Sequence, residues 1–426
     1  MSFKKKIIIG IASFINAIIM LLITFWFLSI PQALPDEYLL VQASAVTKNL
    51  IFGLEKKPDS TRFLFINVSK DKALIDLEDP DVPGYVVGNE AITDRAKLVK
   101  LLEILIQKPN HKFMVFDIDL KGKSESDSAL AALINKMPNL HVSYHRDDKD
   151  KPDYPEMPIK KKLTLSDIEK VWKQALKFQL FFNDSIKSTP LVMYETVHKK
   201  KFKKGYSPLG IHYIDKQPIF NNFILDYRIR RPDYGTRYPK IYLGESLKLC
   251  EDSTGQMNIE TAETSLLKLT KDRIIFVGDF EDRDIHDTIY GEIPGPIILI
   301  NAFLALEYGD NKIVLTLILF LVSVYTTISY FILSRKYAWK YYFTKKMKRW
   351  KEENPKVEMY GGIAFYVLLF SSVSIISYFI YDLHVGGLGL AFYIFIIDYL
   401  KTQVNRFIEK RNIKTYVKDE YMGKDR

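Results

Sequence analysis

Three runs free of charged side chains dominate this chain: residues 7–30, 313–334 and 361–381, with 24, 22 and 21 residues. Each is longer than the roughly 20 residues a helix needs to cross the hydrocarbon of a bilayer. Each is therefore expected to be a transmembrane helix. A fourth run, residues 385–397, has 13 residues, the length of a re-entrant or interfacial segment. Extended over 382–400 it spans, because Asp398 then lies near one end, where its charge reaches the headgroups. The expected plan is one membrane helix before residues 31–312 and three after them.

The formal net charge of +10 at pH 7 is concentrated beside these runs. Lys4, Lys5 and Lys6 contribute +3, residues 335–359 contribute +6, residues 401–426 contribute +4 and Asp382 with Asp398 subtract two, leaving about −1 on residues 31–312. Such flanking basicity is the positive-inside pattern. It assigns 1–30 to a cytoplasmic N-terminus with a signal anchor, 335–360 to a basic cytoplasmic loop and 401–426 to a cytoplasmic basic tail. Residues 313–334 and 361–400 are the remaining membrane helices. Residues 31–312 form an extracytoplasmic domain. A near-neutral large domain lacks the footprint of a nucleic-acid binder, so no nucleic-acid partner is expected. The segment 29–35, Ser-Ile-Pro-Gln-Ala-Leu-Pro, is a poor small-residue cleavage site, which favours an uncleaved anchor.

Cys250 is the only cysteine, so no intrachain disulfide forms and the domain depends on its core. Residues 40–54 are amphipathic and read as a helix leading the chain off the membrane. Residues 62–68 and 112–118 are nearly continuous apolar runs that read as buried parallel strands, joined by a helix from Asp94 to Ile106. Residues 78–90 read as loop. A helix over 126–136 and a strand over 140–144 follow, then a charged excursion over 145–163. The pattern further predicts a helix over 166–182, a strand over 191–197, a basic turn over 198–204, a strand over 223–228 and a short helix over 243–249. Arg273 to Val277, stopped by Gly278, is a further buried strand, and Pro294-Gly295-Pro296 opens an apolar helix ended by Gly309. The fold class is thus α/β with a largely parallel sheet.

In such sheets ligands bind at the carboxyl ends of the strands. The residues predicted there are Ser69 and Asp71, Asp117 and Asp119, Asp226 and Arg228, and Asp279, Asp282, Asp284 and His286. Of these, Asp71, Asp117, Asp119, Arg228, Asp279, Asp284 and His286 are candidate ligand-binding residues. Asp117, Asp119, Asp279, Asp282 and His286 are candidate ligands of a divalent cation, because carboxylates and an imidazole suit one. Asp282, Asp284 and His286 alternate as in a calcium loop, but Asp287 stands where glycine is required and Ile293 where the closing glutamate is required. The stretch Gly278-Asp279-Phe280-Glu281-Asp282-Arg283 is similar to the middle motif of calcineurin-like phosphoesterases. The upstream Asp117-Ile118-Asp119 lacks that family's histidine, and no Asn-His pair follows. No phosphate loop, nucleophile elbow, zincin helix or dinucleotide fingerprint occurs, and no cofactor is specified.

The order of segments resembles the type-two CHASE domain, an extracytoplasmic sensory module of bacterial cyclases and histidine kinases. The resemblance is carried by Phe65-Ile66-Asn67-Val68, residues 95–106 with 112–118, Leu225-Asp226-Tyr227-Arg228, and above all residues 273–278. Asp284, Thr288, Pro294-Gly295 and Asn301-Ala302 match the closing motif. The likeness implies a ligand-sensing α/β fold at a bacterial inner membrane. Asp226 departs from the asparagine usual before Tyr-Arg and places a charge beside Arg228. Only 26 residues follow Leu400, too few for an output domain, so a partner kinase, cyclase or regulator is expected. Small and hydroxylated residues in the membrane runs, among them Ser329, Ser374, Gly386 and Gly389, suit close helix packing within this chain or in a homo-oligomer. The expectation is a membrane sensor working through a partner. The alternatives are a metal-assisted phosphohydrolase and a structural subunit of an envelope complex.

Overall fold

The structure is a computed structural model that describes residues 3–31, 35–53, 56–79, 81–147, 149–168, 170–171, 174–183, 185–252, 254, 256–281, 283–334 and 356–422. The chain divides into two units. One comprises residues 1–30, 34–44 and 313–426, the other residues 31–33 and 45–312. Residues 34–44 group with the apolar helices. The basic loop at 335–355 lies outside the described residues.

The second unit is built on a seven-stranded sheet. In spatial order its strands are Lys240–Tyr242, β1 (Phe63–Asn67), Ile274–Gly278, β4 (Phe113–Asp117) and β5 (Leu140–Arg146), all parallel. Beyond them Leu163–Leu165 pairs parallel and Pro152–Asp153 antiparallel to β5. Strands β2 (Lys72–Asp79) and β3 (Val82–Thr93) form a separate antiparallel hairpin. All five residues of β1, of β4 and of Ile274–Gly278 are buried. This is why they read as continuous apolar runs rather than alternating ones. Phe63, Phe65, Phe113, Val115, Ile274 and Phe276 face one core, which holds the helices Thr189–His198 and Gly295–Tyr308. Leu64, Ile66, Met114, Phe116, Ile275 and Val277 face the other, with the helices Arg95–Leu105, Asp127–Lys136 and Leu243–Lys248.

Local signals account for most boundaries. Asp94 caps the helix Arg95–Leu105, its carboxylate accepting the Lys97 amide at 3.2 Å. Gly309, at φ 80°, ends the helix Gly295–Tyr308 in the left-handed conformation.

Four expectations are corrected. Residues 78–90 belong to the β2–β3 hairpin, not to a loop. The described residues of 166–182 form the short strands Lys170–Val171, Gln174–Ala175, Lys177–Gln179 and Phe181–Phe182 rather than a helix, with Ala175, Phe178 and Leu180 in the core. Residues 191–197 lie in the helix Thr189–His198, which Pro190 opens at its first turn. In the stretch 223–228 only Asn222–Ile224 is a strand, and it pairs antiparallel with Lys177–Gln179 outside the main sheet. The place expected for it is taken by Lys240–Tyr242.

Among the described residues of the first unit, three helices are long and apolar enough to cross a membrane: Phe3–Ser29, Leu315–Leu333 and Ile363–Tyr381, with mean hydropathies of 2.6, 2.0 and 2.1. Residues 387–400 begin a 36-residue helix, Gly387–Met422. Asn16 joins three of these helices, donating to Ser329 Oγ at 2.8 Å and accepting from the Tyr393 hydroxyl at 2.7 Å. Thr24 and Tyr325 share a hydrogen bond of 2.8 Å. Phe27 packs against Gly386 and Gly389, where no side chain stands in its way. The small and hydroxylated residues singled out in the sequence therefore serve packing within this chain.

Asn301 is fully buried and closes the core beneath the last helix of the α/β unit. It accepts from Ile229 N at 2.9 Å and donates to the carbonyl oxygens of Ile229 and Ile297 at 2.8 Å. Replacing Asn301 with Leu strands both polar groups of Ile229 and is expected to destabilise the unit by about 2 kcal/mol or more. Thermal or urea unfolding of the detergent-solubilised full chain measures it.

Candidate functional site

The parallel register brings three strand ends level: Asn67 lies opposite Gly278, and Gly278 opposite Asp117. Asn67 pins the two loops that leave this edge, its side-chain oxygen accepting from Ser69 N at 3.0 Å and Phe280 N at 3.3 Å. Gly278 has to lack a side chain, since a Cβ there would stand 2.8 Å from Pro296 Cγ and 3.0 Å from the Asp117 carbonyl oxygen. Gly295 is constrained in the same way by the Asp284 carboxylate, which occupies the space of its missing Cβ. The Pro-Gly-Pro motif thus fits the helix start between a strand end and an acidic side chain.

At this edge lies a cavity of about 280 Å³. The β4 end contributes Asp117 and Asp119, β5 contributes Ser143, Tyr144 and His145, and the hairpin contributes Lys72 and Glu90. Asp153, Asp279, Arg283 and Asp284 complete its polar wall. Lys72 pairs with Asp279 at 3.2 Å and Lys121 with Asp153 at 2.5 Å. Arg283 donates to the Ala91 carbonyl at 3.0 Å. Arg95, almost wholly buried, holds Asp127 and the Lys121 carbonyl oxygen, which fixes the loop after β4. Behind the cavity a chain of hydroxyls sets Ser143: Ser166 Oγ lies 2.7 Å from both Ser143 Oγ and Thr189 Oγ1.

Two carboxylate–imidazole pairs flank Asp117. His286 Nε2 lies 2.7 Å from Asp284 Oδ1, and His145 Nδ1 lies 3.3 Å from Asp167 Oδ1. The Asp167 carboxylate also takes Arg146. Its hydrogen bond to Asp167 raises the His145 pKa, with the negative field of Asp117 acting in the same direction. Burial pushes the Asp117 carboxyl up to about 6, and the nearby Asp284 charge adds to the shift. A carboxyl group of that kind keeps its proton up to about pH 6, well above the usual carboxylate range.

Of the residues expected at the site, Asp117, Asp119, Asp279 and Asp284 line the cavity, and His286 stands behind Asp284. Asp71 serves another purpose: it pairs with Lys97 at 2.6 Å and accepts from Gly244 N at 3.1 Å, joining two helix starts. Ser69 belongs to a brace in which Glu281 takes Ser69 Oγ at 3.0 Å, Lys240 at 2.8 Å and the Tyr242 hydroxyl at 2.6 Å. Arg228 lies outside the strand-end group, because its segment is not in the main sheet. Its guanidinium is buried in a two-pronged pair with Asp310, at 2.7 and 2.9 Å, over the Tyr308 ring. Asp226 lies 3.8 Å from Arg228, so the charge that departs from the family pattern forms a local ion pair. Asp282 lies outside the described residues. Among the described residues, no three His, Cys, Asp or Glu side chains are grouped so as to hold a metal ion.

Sequence reasoning missed Glu90, because the hairpin read as loop, and Asp153, because its excursion has no period. Tyr144 and His145 were within reach, as they end the strand predicted over 140–144. No protein-family model, curated protein or solved structure matches the chain.

Two outcomes follow from this geometry. Arg228→Met removes the guanidinium that pairs with the buried Asp310 carboxylate and is expected to cost about 3–5 kcal/mol, most of which Arg228→Met with Asp310→Leu recovers; unfolding of the three proteins checks it. Asp117 has a folded pKa above its unfolded value. It is protonated in both states below about pH 4, and the folded state bears its buried charge above about pH 6. Asp117→Asn is therefore expected to stabilise the domain at pH 7 by roughly 2–3 kcal/mol and to have no effect at pH 4. Melting curves across that range read it out.

Proposed function

We propose that this chain is a membrane-anchored sensory protein whose α/β unit binds a small solute in the cavity at the carboxyl edge of its sheet. The observation that carries this reading is the cavity itself, about 280 Å³ in volume and lined by buried polar groups of three different strand ends. Strand-end crevices of parallel sheets are where α/β proteins take ligands. The unit is continuous in sequence with helices long and apolar enough to cross a membrane. The basic flanks of those helices favour an extracytoplasmic position for residues 31–312 and a cytoplasmic one for both ends, and the first half of Gly387–Met422 serves as the fourth span. A bacterial inner-membrane location and transmission through a partner kinase, cyclase or regulator rest on the resemblance to the type-two CHASE domain.

The test uses the full chain in detergent, screened by thermal shift against a panel of small cationic, anionic and neutral solutes. At least one class is expected to raise the melting temperature saturably. Ala91→Trp, which fills the cavity from the hairpin side, is expected to abolish that shift. A shift that persists in Ala91→Trp places the ligand elsewhere and overturns the reading. A tag within 31–312 that is accessible only from the cytoplasm overturns the extracytoplasmic assignment.

A further inference from the structure

The charge balance of the cavity wall identifies the class of ligand, resting on the reading that this cavity is the binding site. Six carboxylates line it against two lysines and one arginine. Each lysine is matched to one acid, Lys72 to Asp279 and Lys121 to Asp153. Arg283, largely exposed, is directed to the Ala91 carbonyl. His145 and Arg146 share Asp167, which offsets their positive charge locally. Asp117, Asp284, Asp119 and Glu90 remain on the wall without a lysine partner among its lining residues.

Asp117 is the most constrained of the four. It is 8% exposed and lies within the repulsive field of Asp284. His286 meets Asp284 at 2.7 Å, but carboxylates still outnumber basic side chains on the wall, so an anionic solute is repelled and a neutral one does nothing to relieve the repulsion. A cation removes the repulsion between the two carboxylates and restores the solvation that Asp117 lost on burial. A bare metal ion needs converging ligands, which the described residues do not form. The buried ring of Tyr144 on the same wall suits an alkylated cation.

We propose that the cavity takes a small organic cation, an alkylammonium or quaternary ammonium compound, whose charge is met by the Asp117 and Asp284 carboxylates and whose carbon surface lies against Tyr144. The groups governing its protonation behaviour come from every neighbouring element: Ser143 and His145 on β5, Asp284 and His286 after the central strand, and Lys72 and Glu90 on the hairpin. The neutral Asp117 carboxyl carries no net charge to attract a cation, whereas the ionised one does. Binding of a cation therefore strengthens as the pH rises through the range in which Asp117 ionises.

Calorimetric titration of the detergent-solubilised full chain with tetramethylammonium and with putrescine tests this, with succinate and glucose as the anionic and neutral probes. Tetramethylammonium is informative because its charge does not titrate. Saturable binding of at least one ammonium probe is expected, about tenfold tighter at pH 7.5 than at pH 5. Asp117→Asn and Asp284→Asn are each expected to weaken it by about tenfold or more. Tyr144→Leu is expected to weaken it by about threefold without changing the pH dependence. Asp117→Asn removes a buried charge, so loss of binding in a protein that melts no lower than the parent reports on the site rather than on the fold. Binding of succinate or glucose that Ala91→Trp abolishes, with neither ammonium probe bound, overturns the cation assignment and leaves the ligand-binding reading standing. Binding of none of the four probes overturns the cation assignment, and the broader solute panel then decides the ligand-binding reading by itself.

Discussion

The pairing of Ile274–Gly278 with a strand on each edge is the constraint on which the α/β unit depends. β1 and β4 do not touch. The strand of this sheet that comes last in sequence lies between them and supplies both with backbone partners in one register. Until residues 274–278 are in place, the backbone groups that β1 and β4 direct toward this strand have no partner. The long sequence separation between β1 and this strand makes the sheet non-local, and its closure is an entropic cost that burial of two apolar faces has to offset.

The same strand end organises the site. Gly278 leaves room on one side for Pro296 and on the other for the backbone of Asp117, so the turn into the last helix packs directly against the strand ends. Gly295 then admits the Asp284 carboxylate. Two residues without side chains thereby bring an acidic group from the final loop into the field of a buried acidic group from β4. The elevated pKa of Asp117 is a product of this packing, since both burial and the Asp284 charge come from it. Such an arrangement raises the free energy of the empty folded state, a cost that functional sites commonly bear and cores do not.

The polar residues around the edge divide by what they touch. Asp71, Ser69, Glu281 and Arg228 are occupied by lysines, helix amides, a tyrosine hydroxyl and Asp310, and hold elements together. Asp117 and Asp284 press on one another at a cavity. The division follows from whether a fixed cation or amide lies within reach, which is settled by neighbours far away in the chain.

The sequence by itself determined the three helices long and apolar enough to cross a membrane, the buried parallel strands and the helix capped by Asp94. Those features depend on local quantities: run length, apolar period, capping residues and breakers. It also placed Asp117, Asp119, Asp279 and Asp284 at strand ends, because a strand's carboxyl end is legible wherever its apolar run stops. Only the tertiary structure decided that Arg228 leaves this group, since its segment pairs with Lys177–Gln179 and not with the sheet. It alone decided that 191–197 is helical, where Pro190 and the core outweigh the β-branched residues, and that Glu90 and Asp153 reach the cavity from segments with no period of their own. Strand order, and with it the encounter of Asp117 with Asp284, depends on contacts between residues more than 150 positions apart, which no local pattern encodes.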